Sequence, residues 1–164
     1  AILSDTVVFK SSTTTERDRE VARKLASIAG VSDIEAFGIE IKKAKASIAG
    51  KLAEKVILED FKEYEFPKGK IGIGQVELVD FEEIDERKAE LIEAMKKLAN
   101  QRGYALLALM ATNIMLGDTR LLCVGSVEKV EEAFGVKVQD NEAYLKNVMS
   151  RKRDVVPKLQ VVFT

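Results

Sequence analysis

Tyr104 through Thr112 reads Tyr-Ala-Leu-Leu-Ala-Leu-Met-Ala-Thr, with no charged residue and no polar/apolar alternation. A strand with one wet face alternates with a period of two, so a run this evenly apolar predicts a strand buried on both sides. Such a strand needs cover above and below it, and that layering limits the fold more than any other stretch of the chain. The flanking segments supply the cover. Glu82 to Asn100 repeats Ile84, Leu91, Met95 and Leu98 at helical spacing, and Gly103 lies just beyond as a stop. Arg120 to Val124 is the next strand, after a turn over Asn113 to Asp118. Phe61 to Phe66 alternates aromatic and charged residues, the mark of a half-buried strand. Ile71 to Asp80 reads as a central strand whose Gly72 and Gly74 admit a close neighbour.

The remaining segments are helical or turning. Thr15 and Asp18 form a capping-box pair ahead of a helix with Val21, Ala22, Leu25 and Ile28 on its stripe, and Gly30 ends it. A second helix starts after Ser32-Asp33 with Phe37, Ile41, Ala44 and Ile48 as its stripe, and Gly50 breaks it. A short helical piece spans Leu52 to Ile57. Ser126 can cap a helix from Val127 to Phe134, with Gly135 as its stop. Val136 to Val138 and Ala143 to Leu145 suggest a short hairpin around Asp140-Asn141. Helices alternating with strands give the expected fold: α/β, a mixed β-sheet with helices packed on its outside, in a single domain.

Composition excludes several kinds of function. The 164 residues contain no histidine, which removes Ser-His and Cys-His nucleophile pairs and every histidine metal ligand. The formal net charge of −1 argues against broad nucleic-acid binding. No run of 18 apolar residues reads as a transmembrane helix, and no signal peptide is visible. One cysteine, Cys123, stands in the apolar run Leu121 to Val124 and reads as core packing in a reducing cytoplasm. The chain opens at Ala1-Ile2-Leu3 without an initiator methionine, which suggests a piece of a longer protein.

Charge concentrates near the C-terminus. From Lys146 to Lys158 there are five cations and one anion, with Arg151-Lys152-Arg153 consecutive. A planar guanidinium grips phosphate through two N–H groups, and lysine adds a point charge. A solvated basic turn fits the same run. Lys62 reads as a strand-surface lysine, and Asp5, in Ser4-Asp5-Thr6, as a turn or cap residue. Gly72 and Gly74 make no phosphate loop, because Glu77 stands where a third glycine would be needed.

The wording of these stretches resembles one family. Val148 to Leu159, "VMSRKRDVVPKL", is similar to the "SRKKQVVPPL"-type signature that ends the second, C-terminal domain of family II inorganic pyrophosphatases, which are DHH-type phosphoesterases. Arg153, Asp154 and Lys158 depart from it; Arg151 and Lys152 do not. Residues 1–15, "AILSDTVVFKSSTTT", resemble the family's "AILSDTxLFKSPTTT", with Ser12 in place of proline. "LEDFKEYEF", ending at Phe66, resembles "xLDAKEF", and the Ile71–Asp80 strand is similar to "xIAQVNTVD". The family often has aspartate where Asn113 stands.

The resemblance implies hydrolysis of pyrophosphate to two phosphates by the full-length protein, with this fragment inactive alone. It implies manganese, with cobalt or magnesium as substitutes, bound mainly by a missing N-terminal DHH domain. Asp5 would be one metal ligand, Lys62, Arg151 and Lys152 the substrate contacts, and a metal-bound hydroxide the nucleophile. Residues 1–12 would end the preceding domain and its linker, and residues 13–164 would form the DHH-associated C-terminal domain. A homodimer is expected of the full-length protein, in the cytoplasm that the single cysteine suggests and with no nucleic-acid or membrane partner, as charge and hydropathy suggest. An exopolyphosphatase or another DHH phosphoesterase remains an alternative, as does a stand-alone anion-binding domain. On the pyrophosphatase reading, Arg151 and Lys152 should be largely exposed at a cleft, their heads converging on one point and unpaired with carboxylates, with Lys62 in reach of the same point.

Overall fold

The computed structural model describes residues 1–6, 8–9 and 14–164. They form two compact units, Ala1–Ser47 and Ile48–Thr164. The expected boundary between residues 12 and 13, and Ser12 itself, lie outside the described residues.

The first unit is helical: α1 (Ile2–Asp5), α2 (Glu16–Ala29) and α3 (Ile34–Ala46). The capping box at the start of α2 is formed. The Thr15 N–H donates to Asp18 Oδ2 at 2.8 Å, and the Asp18 N–H donates back to Thr15 Oγ1 at 3.3 Å. This pairing holds the Asp18 carboxyl below the usual carboxylate range, chiefly through the Thr15 hydroxyl. Gly30 ends α2 in the left-handed conformation, with φ 70°. Asp33 caps α3, accepting from the Ala36 N–H at 2.9 Å. The expected stripe on α2 is corrected: Ala22 and Ala26 are buried, whereas Leu25 and Ile28 are 53% and 84% exposed. Apolar spacing marks a face of a helix but not what covers it.

The second unit follows the order α4 (Ala53–Ile57), β1 (Phe61–Phe66), β2 (Gly69–Leu78), α5 (Glu82–Arg102), β3 (Leu106–Asn113), β4 (Asp118–Gly125), α6 (Val127–Phe134), β5 (Glu142–Leu145), a π-helical turn (Arg151–Val155) and α7 (Val156–Phe163). The five strands lie in chain order in one sheet. The β2–β3 pair is parallel and the other three pairs are antiparallel, so the sheet is mixed, as the alternation of elements implied. Only the parallel pair needs a crossover, and α5 provides it.

Every residue of β3 is buried, because each face of the sheet carries its own core. On one face, Leu107, Leu109 and Ala111 pack with Ile84, Leu91, Met95 and Leu98 of α5. On the other, Leu106, Ala108 and Met110 pack with Val130 of α6 and with Leu159, Val162 and Phe163 of α7. Cys123 belongs to this second core, and burial pushes its thiol up to about 12, so it packs as a small apolar group. Gly74 has the close neighbour its strand suggested: a Cβ there would collide with the Ile57 carbonyl oxygen of α4.

Two local expectations are corrected. Val136 to Val138 form no strand; Gln139 makes an isolated bridge to Glu142, and β5 pairs with β4 instead. Ser126 starts α6 without a side-chain capping bond. Asn113 is buried at the end of β3, where its Oδ1 accepts from the N–H groups of Met115 and Leu116 in the following turn, both at 2.9 Å. An aspartate oxygen accepts the same two bonds, so the departure from the family's residue leaves the turn intact.

Candidate anion site at the sheet edge and the basic turn

The charged run folds into a defined turn. Ser150 precedes the π-helical turn and its Oγ accepts from the Arg153 N–H at 3.2 Å. Asp154, the one anion of the run, folds back so that its Oδ2 accepts from the N–H groups of Met149 at 3.1 Å and Ser150 at 2.8 Å. Those donors, Ser150 first, hold the Asp154 carboxyl below the usual carboxylate range. The segment before the turn is tied to the sheet. Thr119 Oγ1 donates to the Val148 carbonyl at 2.6 Å, and Gln75 Nε2 donates to the Met149 carbonyl at 2.9 Å. Asp118 Oδ1 takes the Asn147 N–H at 2.8 Å, where Asn147 turns the chain at φ 57°.

These ties bring the turn to β1 and β2. One cavity of about 510 Å³ is lined by Lys62, Tyr64, Gln75, Met149, Ser150, Arg151 and Lys152. All three lysine and arginine residues singled out in the sequence therefore border the same space, despite about ninety positions between Lys62 and Arg151. Lys62 and Lys152 are exposed, and neither has an ion-pair partner among the described residues. Tyr64, Gln75 and Ser150 add polar groups that the sequence did not single out.

Arg151 differs from expectation. It is 8% exposed and paired: Nη2 donates to Asp60 Oδ1 at 2.8 Å. Nη1 donates to the Ile73 carbonyl at 3.1 Å and to the Asp60 carbonyl. The reason is the guanidinium itself, whose donors must find acceptors once withdrawn from water. The entry to β1 and the edge of β2 provide them. Asp60 was missed in the sequence, although it stands two residues before Lys62.

Asp5 lies at the exposed end of α1. The described residues contain no group of three or more histidine, cysteine, aspartate or glutamate side chains placed to hold a metal ion. A hard divalent ion needs several such oxygen or nitrogen ligands. The described residues do not make a manganese site by themselves.

The DHHA2 domain profile matches residues 39–162, which take in the whole sheet, the cavity and the basic turn. The chain belongs to the DHHA2 domain family. Full-length relatives of this DHHA2 chain include the manganese-dependent inorganic pyrophosphatase of Methanocaldococcus jannaschii, 48% identical over 98% of this chain and 52% of that protein. The manganese-dependent inorganic pyrophosphatase of Bacillus subtilis is 41% identical over 97% of this chain and 52% of its own length. A crystal structure described as a candidate family II inorganic pyrophosphatase from Methanococcus jannaschii superposes with a TM-score of 0.72 at 45% identity, covering 99% of this chain and 53% of that one. The DHHA2 chain thus spans about half the length of the curated relatives it matches. No helix among the described residues is long and apolar enough to cross a membrane.

Proposed function

We propose that this chain is the C-terminal part of a manganese-dependent inorganic pyrophosphatase that hydrolyses pyrophosphate to two phosphates. The observation that carries the reading is the cavity shared by Lys62, Arg151 and Lys152, joined to the near-complete match with relatives named for that activity. Pyrophosphate is small and highly charged. Two exposed ammonium groups and a guanidinium around one space bind its oxygens and take up charge as the bridging bond breaks. Lys62 and Lys152 are free to swing onto a ligand. Arg151, held by the backbone, gives a fixed reference for its orientation.

Manganese, or cobalt or magnesium in its place, would be held mainly by an N-terminal DHH domain outside this chain, to which residues 1–12 would form the end and linker. Asp5 would supply one ligand. Asp5→Asn in the full-length protein should weaken manganese binding in a calorimetric titration with the fold intact, since the amide keeps the shape and loses the charge. Unchanged affinity would leave Asp5 as a helix-end residue with no metal role. A cytoplasmic homodimer, with no nucleic-acid or membrane partner, completes the proposal. The near-neutral charge supports the lack of a nucleic-acid partner and the lone core thiol of Cys123 supports the cytoplasmic location, while the homodimer rests on the family resemblance alone.

The site is tested by phosphate release from pyrophosphate with manganese present. Lys62→Gln and Lys152→Gln should each lower kcat/KM by about tenfold or more, as loss of one charge-assisted contact does. Wild-type values for both variants would contradict the reading.

A further inference from the structure

We infer that Asp60 is a positioning residue, whose carboxylate holds the Arg151 guanidinium in place at the cavity bordered by Lys62 and Lys152. The inference rests on the pyrophosphatase reading above.

A guanidinium carries five N–H donors in one rigid plane. Nη1 is hooked to two main-chain carbonyls, those of Asp60 and Ile73. Both belong to the β1–β2 edge. Ile73 sits opposite Lys62 in the antiparallel register, and the Asp60 carbonyl also takes the Gln75 N–H at 3.0 Å. The backbone that sets where Lys62 leaves the sheet therefore also sets where Nη1 lies. Nη1 by itself is a pivot. The bond from Nη2 to Asp60 Oδ1 at 2.8 Å stops the plane turning about it. Nε makes no hydrogen bond to a described residue and remains for a phosphate oxygen. Charge points the same way. A buried guanidinium needs an opposing charge, and Asp60 supplies it from a side chain that is itself 60% exposed. Asp60 touches no substrate atom in this scheme; it acts through Arg151.

The test uses the full-length protein with manganese and the variants Asp60→Asn, Asp60→Glu, Arg151→Ala and the Asp60→Asn/Arg151→Ala double variant. Asp60→Asn should lower kcat/KM for pyrophosphate about tenfold and weaken inhibition by inorganic phosphate to a similar degree. Asp60→Glu should recover part of that loss, because the charge returns on a longer stem. In the Arg151→Ala background, Asp60→Asn should cost less than about twofold, since nothing is left to hold. Wild-type kcat/KM in Asp60→Asn, with Arg151→Ala impaired, would overturn the role of Asp60 and leave the phosphate site standing. Equal losses in both backgrounds would also overturn it, because Asp60 would then not act through Arg151. Full activity in Arg151→Ala would remove the arginine from the site and this inference with it.

Discussion

Arg151→Ala in the full-length protein is expected to lower kcat/KM for pyrophosphate by about ten- to a hundredfold, by the usual worth of a charge-assisted hydrogen bond. Arg151→Lys is not expected to restore it. The structure gives the reason: the side chain reaches two carbonyls with one nitrogen and a carboxylate with the other. A single ammonium can replace one of those anchors but not the plane between them. Removing the guanidinium also leaves the Ile73 carbonyl without this partner, so the variant is also expected to lose some thermal stability. Steady-state assays below the melting transition separate the two effects. Wild-type kcat/KM in Arg151→Ala would make Arg151 a strut between the basic turn and the sheet edge and nothing more.

The 164-residue chain by itself is expected to show no manganese-dependent pyrophosphate hydrolysis. On the proposed reading it carries only the cationic side of the site, the cavity bordered by Lys62, Arg151 and Lys152, and one proposed metal carboxylate, Asp5. It has no histidine, and its described residues make no metal-holding cluster. Phosphoryl transfer to water draws most of its catalysis from metal ions and positioning, and cations alone bind the substrate without activating water. Circular dichroism should still show a folded α/β chain, because the second unit has a complete core on each face of its sheet. Turnover by this chain at the rate of the full-length protein would contradict the division of labour proposed above.

The sheet was legible where one physical requirement dominated. Tyr104 to Thr112 could be satisfied only by cover on both faces, and β3 has it. Gly74 was readable as a close approach, and α4 makes that approach. Local capping at Thr15 and Asp18 was equally plain, since donor and acceptor lie three residues apart. Legibility failed where the partner lay far along the chain. Val136 to Val138 have strand-like alternation, but it is β5 that pairs with β4. Leu25 and Ile28 have helical spacing, yet nothing in that spacing says what covers them. The basic run is the sharpest case. Charge counting offered a solvated turn or an open phosphate grip for Arg151, and neither foresees a buried guanidinium. Its acceptors, Asp60 and Ile73, are 91 and 78 residues away in sequence. The family resemblance pointed to the residue, while its environment had to come from the fold.

The most direct measurement is a crystal structure of the full-length protein with manganese and a non-hydrolysable pyrophosphate analogue. A phosphoryl group is expected in the cavity beside β1, with Lys62 Nζ, Lys152 Nζ and the Arg151 guanidinium in hydrogen-bond contact with its oxygens and Asp60 still on Arg151. An analogue bound elsewhere, with this cavity filled only by solvent, would contradict it.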